Sequence, residues 1–257
     1  MRVNPGNQFD FFEPRDNFNT AFKTKNYLRQ RVWVSSNYNT FFALDANLSY
    51  ATFLDPSRSF NNTFIRIAPR FKFNEKFLLV LRMEHNERRG DVGYVNGQNI
   101  EDVILFGDRE RKDIEASISG SYTFNPYHGL ELSFRNYQSK VTYDPILSEL
   151  QDNGDLIKSN IYTKYNADGT DDFSSDANFN TWNLDLGYTW QFAPGSQLTA
   201  LYRNQIFNFN DSSTESFTDS IDALFNQEQR NTFSLRLVYF IDYVNVKKLF
   251  KSGFKTS

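Results

Sequence analysis

The sequence predicts an all-β protein, an antiparallel transmembrane β-barrel with about nine or ten strands in this chain. Three observations predict it. The first is a strict period of two. From Trp182, alternate residues read Trp182, Leu184, Leu186, Tyr188, Trp190, Phe192, and the residues between them read Thr181, Asn183, Asp185, Gly187, Thr189, Gln191. One face is apolar and aromatic, and the other is polar or small. That is a β-strand with two unlike faces, longer than most strands of soluble sheets. The second is the layout of the connections, short at one end and long and polar at the other. The third is composition: aromatics make up 17% of 257 residues, yet the mean hydropathy is −0.60. Aromatic-rich but hydrophilic on average fits strands that alternate lipid-facing and lumen-facing residues.

Period-two strands are expected near 27–36, 41–53, 62–73, 77–88, 111–124, 129–143, 178–192, 197–209 and 231–243, with a weaker tenth near 7–14. Short connections fall at Ser36 to Asn39, Asn74 to Lys76, Asn125 to His128 and Ala193 to Ser196. Longer ones lie at Asp55 to Asn61, Asn86 to Glu110, Asp144 to Ala177 and Asn210 to Arg230. Inside these, Asn96-Gly97 and Asn153-Gly154 suggest type I′ turns, so parts of the long loops are expected to stand up as β-ribbons. Asp219 to Gln229 is the one segment with helical character. No linker divides the chain. The expectation is one barrel unit over 1–243 and a basic periplasmic tail over 244–257.

The registers are testable. If Phe73 faces Phe77, then Ile65, Ile67, Pro69 and Phe71 share a face with Leu79, Leu81, Met83 and His85, while Arg66 meets Glu84 and Phe64 meets Asn86. Opposite charges then meet on the polar side, and a slip of one residue destroys both patterns. The next hairpin alternates likewise, with Ile114, Ala116, Ile118, Leu130, Leu132 and Phe134 against Glu115, Ser117, Ser119, Glu131, Ser133 and Arg135. Phe73, Phe77, Phe124, Tyr127, Trp190 and Phe192 sit beside short turns, where an interfacial aromatic girdle belongs. A soluble β-sandwich shares the same periodicity. Strand length, loop asymmetry and the aromatic rows favour the barrel.

Composition excludes other classes. The net charge of −3 gives no basic footprint for nucleic acid. With no Cys there is no disulfide framework and no thiolate site. No apolar run is long enough for a membrane helix. The opening residues "MRVNPGNQF" carry no apolar signal core, so the chain is expected to be either soluble or a piece of something longer.

Several segments together carry a resemblance. They are "FFEPR" (Phe11 to Arg15), "IAPRFKFNEKFLL" (Ile67 to Leu79), "DVGYV" (Asp91 to Val95), "ILFGDRERK" (Ile104 to Lys112), "SGSYTFNPYHGLELSFRNYQSKV" (Ser119 to Val141), "FNTWNLDLGYTWQFAPGSQLTALYRNQI" (Phe179 to Ile206) and "NTFSLRLVYFIDY" (Asn231 to Tyr243). Taken in order, they resemble the C-terminal part of a Bacteroidota outer-membrane barrel family, a domain of unknown function. In full-length members it follows a carbohydrate-binding family-nine-like (DOMON-like) β-sandwich. The resemblance implies that this chain is the C-terminal part of a larger barrel, without that domain and the early strands, and it supplies no catalytic residues. It also implies a Gram-negative outer membrane, with lipid, lipopolysaccharide, the barrel assembly machinery and the N-terminal part of the same protein as partners.

Candidate chemistry is sparse. His85 and His128 have no metal-spaced partner; His85 is expected to end a strand and His128 to sit in a tight turn. The acidic loop with Asp168, Asp171, Asp172 and Asp176 is a weak Ca²⁺ candidate beside the reading of a solvated loop. The lipid-facing set is Trp182, Leu184, Leu186, Tyr188, Trp190 and Phe192. The lumen charges are Arg66, Arg70, Arg82, Glu84, Glu131, Arg135, Asp185 and Arg203, together with Lys72 and Glu115. They read either as a polar pathway or as mutual cross-links inside a narrow barrel. "ERRGD" (Glu87 to Asp91) and "GDRERKD" (Gly107 to Asp113) are placed near the outer rim, where Arg suits lipopolysaccharide phosphates, beside the reading of a loop base that is charged only for solubility. No cofactor motif and no nucleophile–base pair stands out, so no enzyme is expected. The expected function is an outer-membrane barrel for passage or surface handling of glycans or related ligands. A non-transporting anchor for the N-terminal domain is one alternative, and a soluble β-sandwich binding module is another.

Overall fold

The structure is a computed structural model and describes residues 1–4, 8–15, 19–95, 103–165 and 176–241. The strands are β1 (Arg2–Asn4), β2 (Gln8–Asp10), β3 (Phe22–Thr24), β4 (Tyr27–Ser35), β5 (Phe42–Phe53), β6 (Asn61–Lys72) and β7 (Phe77–Tyr94). They continue with β8 (Leu105–Asn125), β9 (His128–Leu150), β10 (Leu156–Thr163), β11 (Ala177–Ala193) and β12 (Ser196–Asn210), then α1 (Phe217–Phe225) and β13 (Arg230–Val238). All nine strands expected by periodicity are present. The weaker tenth is β2, which pairs only with β3, outside the main sheet.

The main sheet is antiparallel throughout, in the order β1-β4-β5-β6-β7-β8-β9-β11-β12-β13, with β10 hung on β9. Long strands that follow one another in sequence are thus neighbours in space, apart from the β10 excursion. Among the described residues β13 pairs with β12 alone, and no ladder joins it to β1 or β4. The sheet is open. A sandwich needs a second sheet against the apolar face, and the only other sheet among the described residues is the three-residue β2–β3 pair.

Periodicity and register agree with the sequence. Phe64 lies opposite Asn86, Arg66 opposite Glu84 and Ile67 opposite Met83. The turn that fixes this register is built by Asn74, whose side-chain oxygen accepts from the backbone N–H of Lys76 and of Phe77, both at 2.8 Å. Asn125 does the same for Tyr127 at 2.9 Å. Each Asn thus replaces a missing ladder partner with its own carbonyl. In the Ala193-to-Ser196 turn, Gly195 has φ 72°, and a Cβ there would lie 2.9 Å from the Phe240 Cβ. Only Gly suits that position.

Aromatic side chains run along the turn end. Phe73 stacks on Phe77 at 4.8 Å, Tyr122 meets Phe124 at 4.8 Å, and Trp190 meets Phe192 at 5.6 Å. Phe192 in turn stacks on Tyr239 at 6.2 Å, which carries the row to the far edge.

Four expectations are corrected. His85 does not end a strand, because β7 runs on to Tyr94. Asn153-Gly154 is not a type I′ turn. That turn needs φ above zero at both central residues, and only Gly154, at 82°, has it. The charged segments taken as a loop base are strand: Glu87 faces Lys112, Arg88 faces Arg111 and Asp91 faces Arg109, with a register shift between Arg88 and Asp91. The closing strand ends at Val238 rather than 243. Asn96-Gly97 and the tail 244–257 lie outside the described residues.

Past the apolar band, β7 to β10 continue as ribbons with their own small core. Val95, Leu105, Tyr143 and Leu147 are buried together, and Phe106, on the other face of β8, is fully buried too and stacks on Phe22 of β3 at 5.2 Å. Gly107 has to be glycine there, since a Cβ would run into the Tyr143 ring. The N-terminal segment is tied over these ribbons: Lys23 N–H donates to the Gly154 carbonyl at 2.8 Å, and Tyr94 N–H to Glu13 at 3.2 Å.

Candidate functional site

The sheet sorts its residues onto two faces. Cross-strand partners share a face, so each register row can be followed across the sheet. One row runs Leu48, Ile65, His85, Ile114, Gln138, and a second runs Ala46, Ile67, Met83, Ala116, Asn136, Trp182, Ile206. Below them Leu186 joins Leu132 and Tyr202, which pairs with Phe233. Nothing among the described residues covers most of this side. Met83 is 66% exposed, Leu235 63% and Leu186 40%.

The apolar stretch has a definite height. Along β11 it runs from Phe192 to Trp182. At about 3.4 Å per residue and a tilt of about 40°, that spans about 26 Å, close to the apolar band of an outer-membrane barrel.

Above Trp182 the same side turns polar and is covered by α1. Ser216 caps the helix, its hydroxyl oxygen accepting from Asp219 N–H at 3.1 Å, and Asp219 in the first turn suits the helix dipole. Ser220 and Leu224, four residues apart and fully buried, face the sheet. Beneath them Asn136 donates to the Asn180 side chain at 2.9 Å, and Asn180 donates to the Ser220 carbonyl at 3.1 Å. Asn178 donates to the Ser220 hydroxyl and to Glu215, both at 3.1 Å. Phe225 closes on Trp182 at 5.0 Å. Trp182 therefore ends the open part of the apolar side.

Asn180→Ala would strand a donor and an acceptor in this buried network, at a cost of about 1–3 kcal/mol. The expected result is faster proteolysis of segment 211–229 with little change elsewhere. Unchanged cleavage would show that α1 does not depend on the network.

The opposite side holds every charge assigned to the lumen. Arg66 pairs with Glu84 at 3.3 Å, Arg135 with Glu115 at 2.6 Å, and Arg203 holds Asp185 through two bonds of 2.7 Å each. Arg70 lies over the Tyr38 ring at 4.9 Å. Glu131 stands between Ser121 and Gly187, and Lys72 lies opposite Leu78. Arg82 makes no ion pair or hydrogen bond among the described residues, and its Nε is buried without an acceptor. Sequence reasoning missed four members of this face: Arg29, Arg31, Arg88 and Arg111. The signal was available, since Arg29 and Arg31 alternate in β4 with Gln30 and Val32. Arg88 and Arg111, at the ends of the expected strands 77–88 and 111–124, were grouped with the charged clusters near the rim.

A cavity of about 520 Å³ opens on this face across β4 to β9. A single hollow bounded by that many neighbouring strands means that the polar side is concave there. Toward the ribbons, Arg109 bonds Asp91 at 2.9 Å and the Tyr143 hydroxyl at 2.9 Å. Burial lowers its pKa, and Asp91 and Tyr143 outweigh that, so it is raised.

The remaining candidates do not assemble. Asp168, Asp171 and Asp172 lie outside the described residues. Asp176 is engaged by Lys164 at 3.0 Å, Tyr143 N–H at 2.8 Å and Ser213 at 3.1 Å. Among the described residues no group of three His, Cys, Asp or Glu is placed to hold a metal. His128 shares a 2.6 Å hydrogen bond with Tyr188 and stacks on Trp190; His85 lies 3.8 Å from Glu87.

One protein-family model, Domain of unknown function (DUF5916), matches residues 1–250. The chain belongs to that family. No curated protein and no solved structure matches it. What this DUF5916 chain does must therefore be argued from its two faces.

Proposed function

We propose that this chain forms wall of an outer-membrane β-barrel, with the side of Leu186 toward lipid and the side of Asp185 toward the lumen, and that it serves passage or surface handling of glycans or related ligands. One observation carries the reading. Among the described residues a broad apolar side of the main sheet is left uncovered, including Ile67 at 48% and Leu237 at 64% exposure, while the Arg66–Glu84 and Arg203–Asp185 ion pairs lie on the other side. In water that surface exceeds what a monomer ordinarily exposes. Against lipid it needs no cover, and the aromatic row at the turn end falls at one interface. In that setting β13 and the β1–β4 edge need strands to complete the ring, because an open edge is not tolerated in hydrocarbon.

In cells the chain is expected to fractionate with outer membrane and to need detergent. A monodisperse monomer from the detergent-free soluble fraction would replace the barrel with a soluble binding module. Orientation is read by single Cys probes, clean because the chain has no Cys. Glu75 lies in an exposed short turn and Asp152 at the exposed tip between β9 and β10. An impermeant maleimide on whole cells should label Asp152→Cys and spare Glu75→Cys. The reverse would invert the orientation.

A further inference from the structure

The concave polar face carries guanidinium groups that its carboxylates do not neutralise. Three carboxylates line the cavity, and each has a partner. Glu84 pairs with Arg66, Glu115 with Arg135, and Asp113 with Arg111 at 3.0 Å. Asp113 is further saturated by Ser139 at 2.6 Å and Asn86 at 3.1 Å. Arg29, Arg31 and Arg88 line the same cavity, and among the described residues no carboxylate is bound to them. Arg31 donates only to the Asn47 side chain, at 3.2 Å, and Arg29 lies over the Tyr27 ring. Arg88 faces Arg111 directly across the ladder, a like-charge pair that costs stability wherever nothing lies between. The Nε of Arg88 is buried without an acceptor, as is that of Arg82, two residues before Glu84 on the same side. The surplus is local, since the whole chain has a net charge of −3.

We propose that this face is an anion site that takes a glycan bearing carboxylate or sulfate groups. A guanidinium fork matches such oxyanions bidentately, and an apolar wall behind a concave charged surface focuses its field. Phe64 and Tyr137 line the same cavity and add aromatic surface to it. A neutral glycan leaves Arg29, Arg31 and Arg88 without a counter-charge; an acidic one supplies it. The inference rests on the proposed lumen assignment and adds the substrate class to it.

The test measures calorimetric binding to the full chain extracted in detergent, with short oligogalacturonate and the uncharged oligogalactan of equal length as probes. The acidic probe should bind, should weaken as salt rises, and should weaken about tenfold or more in R82Q/R88Q, with R29Q/R31Q as a second pair on another strand. Lys158→Gln, on the distal ribbon, should leave binding unchanged. Inorganic sulfate as competitor separates the sources. Displacement at matched charge would overturn the need for a sugar, while resistance to it supports the glycan. Equal binding of both oligomers, or no loss in either arginine pair, would overturn the anion site. Fractionation tests the membrane reading separately, so a chain that sits in the outer membrane but ignores the acidic probe refutes this inference alone.

Discussion

Leu186→Arg is expected to block assembly, while Ser133→Arg at the same depth is expected to be tolerated. Leu186 lies opposite Leu132 on the apolar side, and Ser133, the next residue along, lies opposite Asp185 on the polar side. The two substitutions therefore add the same charge within one cross-strand step and differ only in the face that receives it. Near the middle of a bilayer an arginine on the lipid side costs about 2–4 kcal/mol. On the other side it meets water and the Asp185 carboxylate, which already attracts Arg203. Folded yield and heat-modifiable migration after refolding in detergent read the difference. If the two variants assemble equally, both faces see similar surroundings and the lipid assignment is wrong.

The part of the molecule that was legible in the sequence is the part this experiment probes. Where one side of a strand meets an apolar medium and the other a polar one, period two is enforced residue by residue, and a wrong register scatters charges. That is why the pairing of Arg66 with Glu84 followed from the position of one turn. The signal fades where the two sides stop differing. Above Trp182 the apolar side becomes Asn180 and Asn178, buried by a helix rather than exposed. Nothing in the alternation announces that cover, although the capping pattern at Ser216 does mark where the helix begins. In β7 and β8 the register shifts between Arg88 and Asp91 and again beside Asp108. There the alternation breaks, and strands read as loops. The functional surface suffered the same loss. Arg88 was grouped with its sequence neighbours Glu87 and Arg89, while the sheet sets it beside Arg111 and two strands from the β5 wall.

Phe106→Ala tests the ribbons without touching the apolar band. Phe106 is fully buried, stacked on Phe22 and edge-on to Tyr94 at 6.4 Å. Removing a buried phenyl ring costs about 3–5 kcal/mol, partly in lost transfer energy and partly in the cavity left behind. In a single cooperative core that loss would spread through the molecule. Here Phe106 lies in the ribbon region, and the ladders of β11, β12 and β13 below do not contact it. The expected outcome is local: amides of β2, β3 and the ends of β7 to β10 exchange much faster, while those of β11 and β12 keep their protection. The backbone bond from Lys23 to Gly154 should be lost with them, because Phe22 is the apolar anchor that holds β3 against the ribbon. A matched loss of protection in β11 and β12 would mean that ribbons and band fold as one unit. The ribbons would then help set the stability of the wall rather than stand on it.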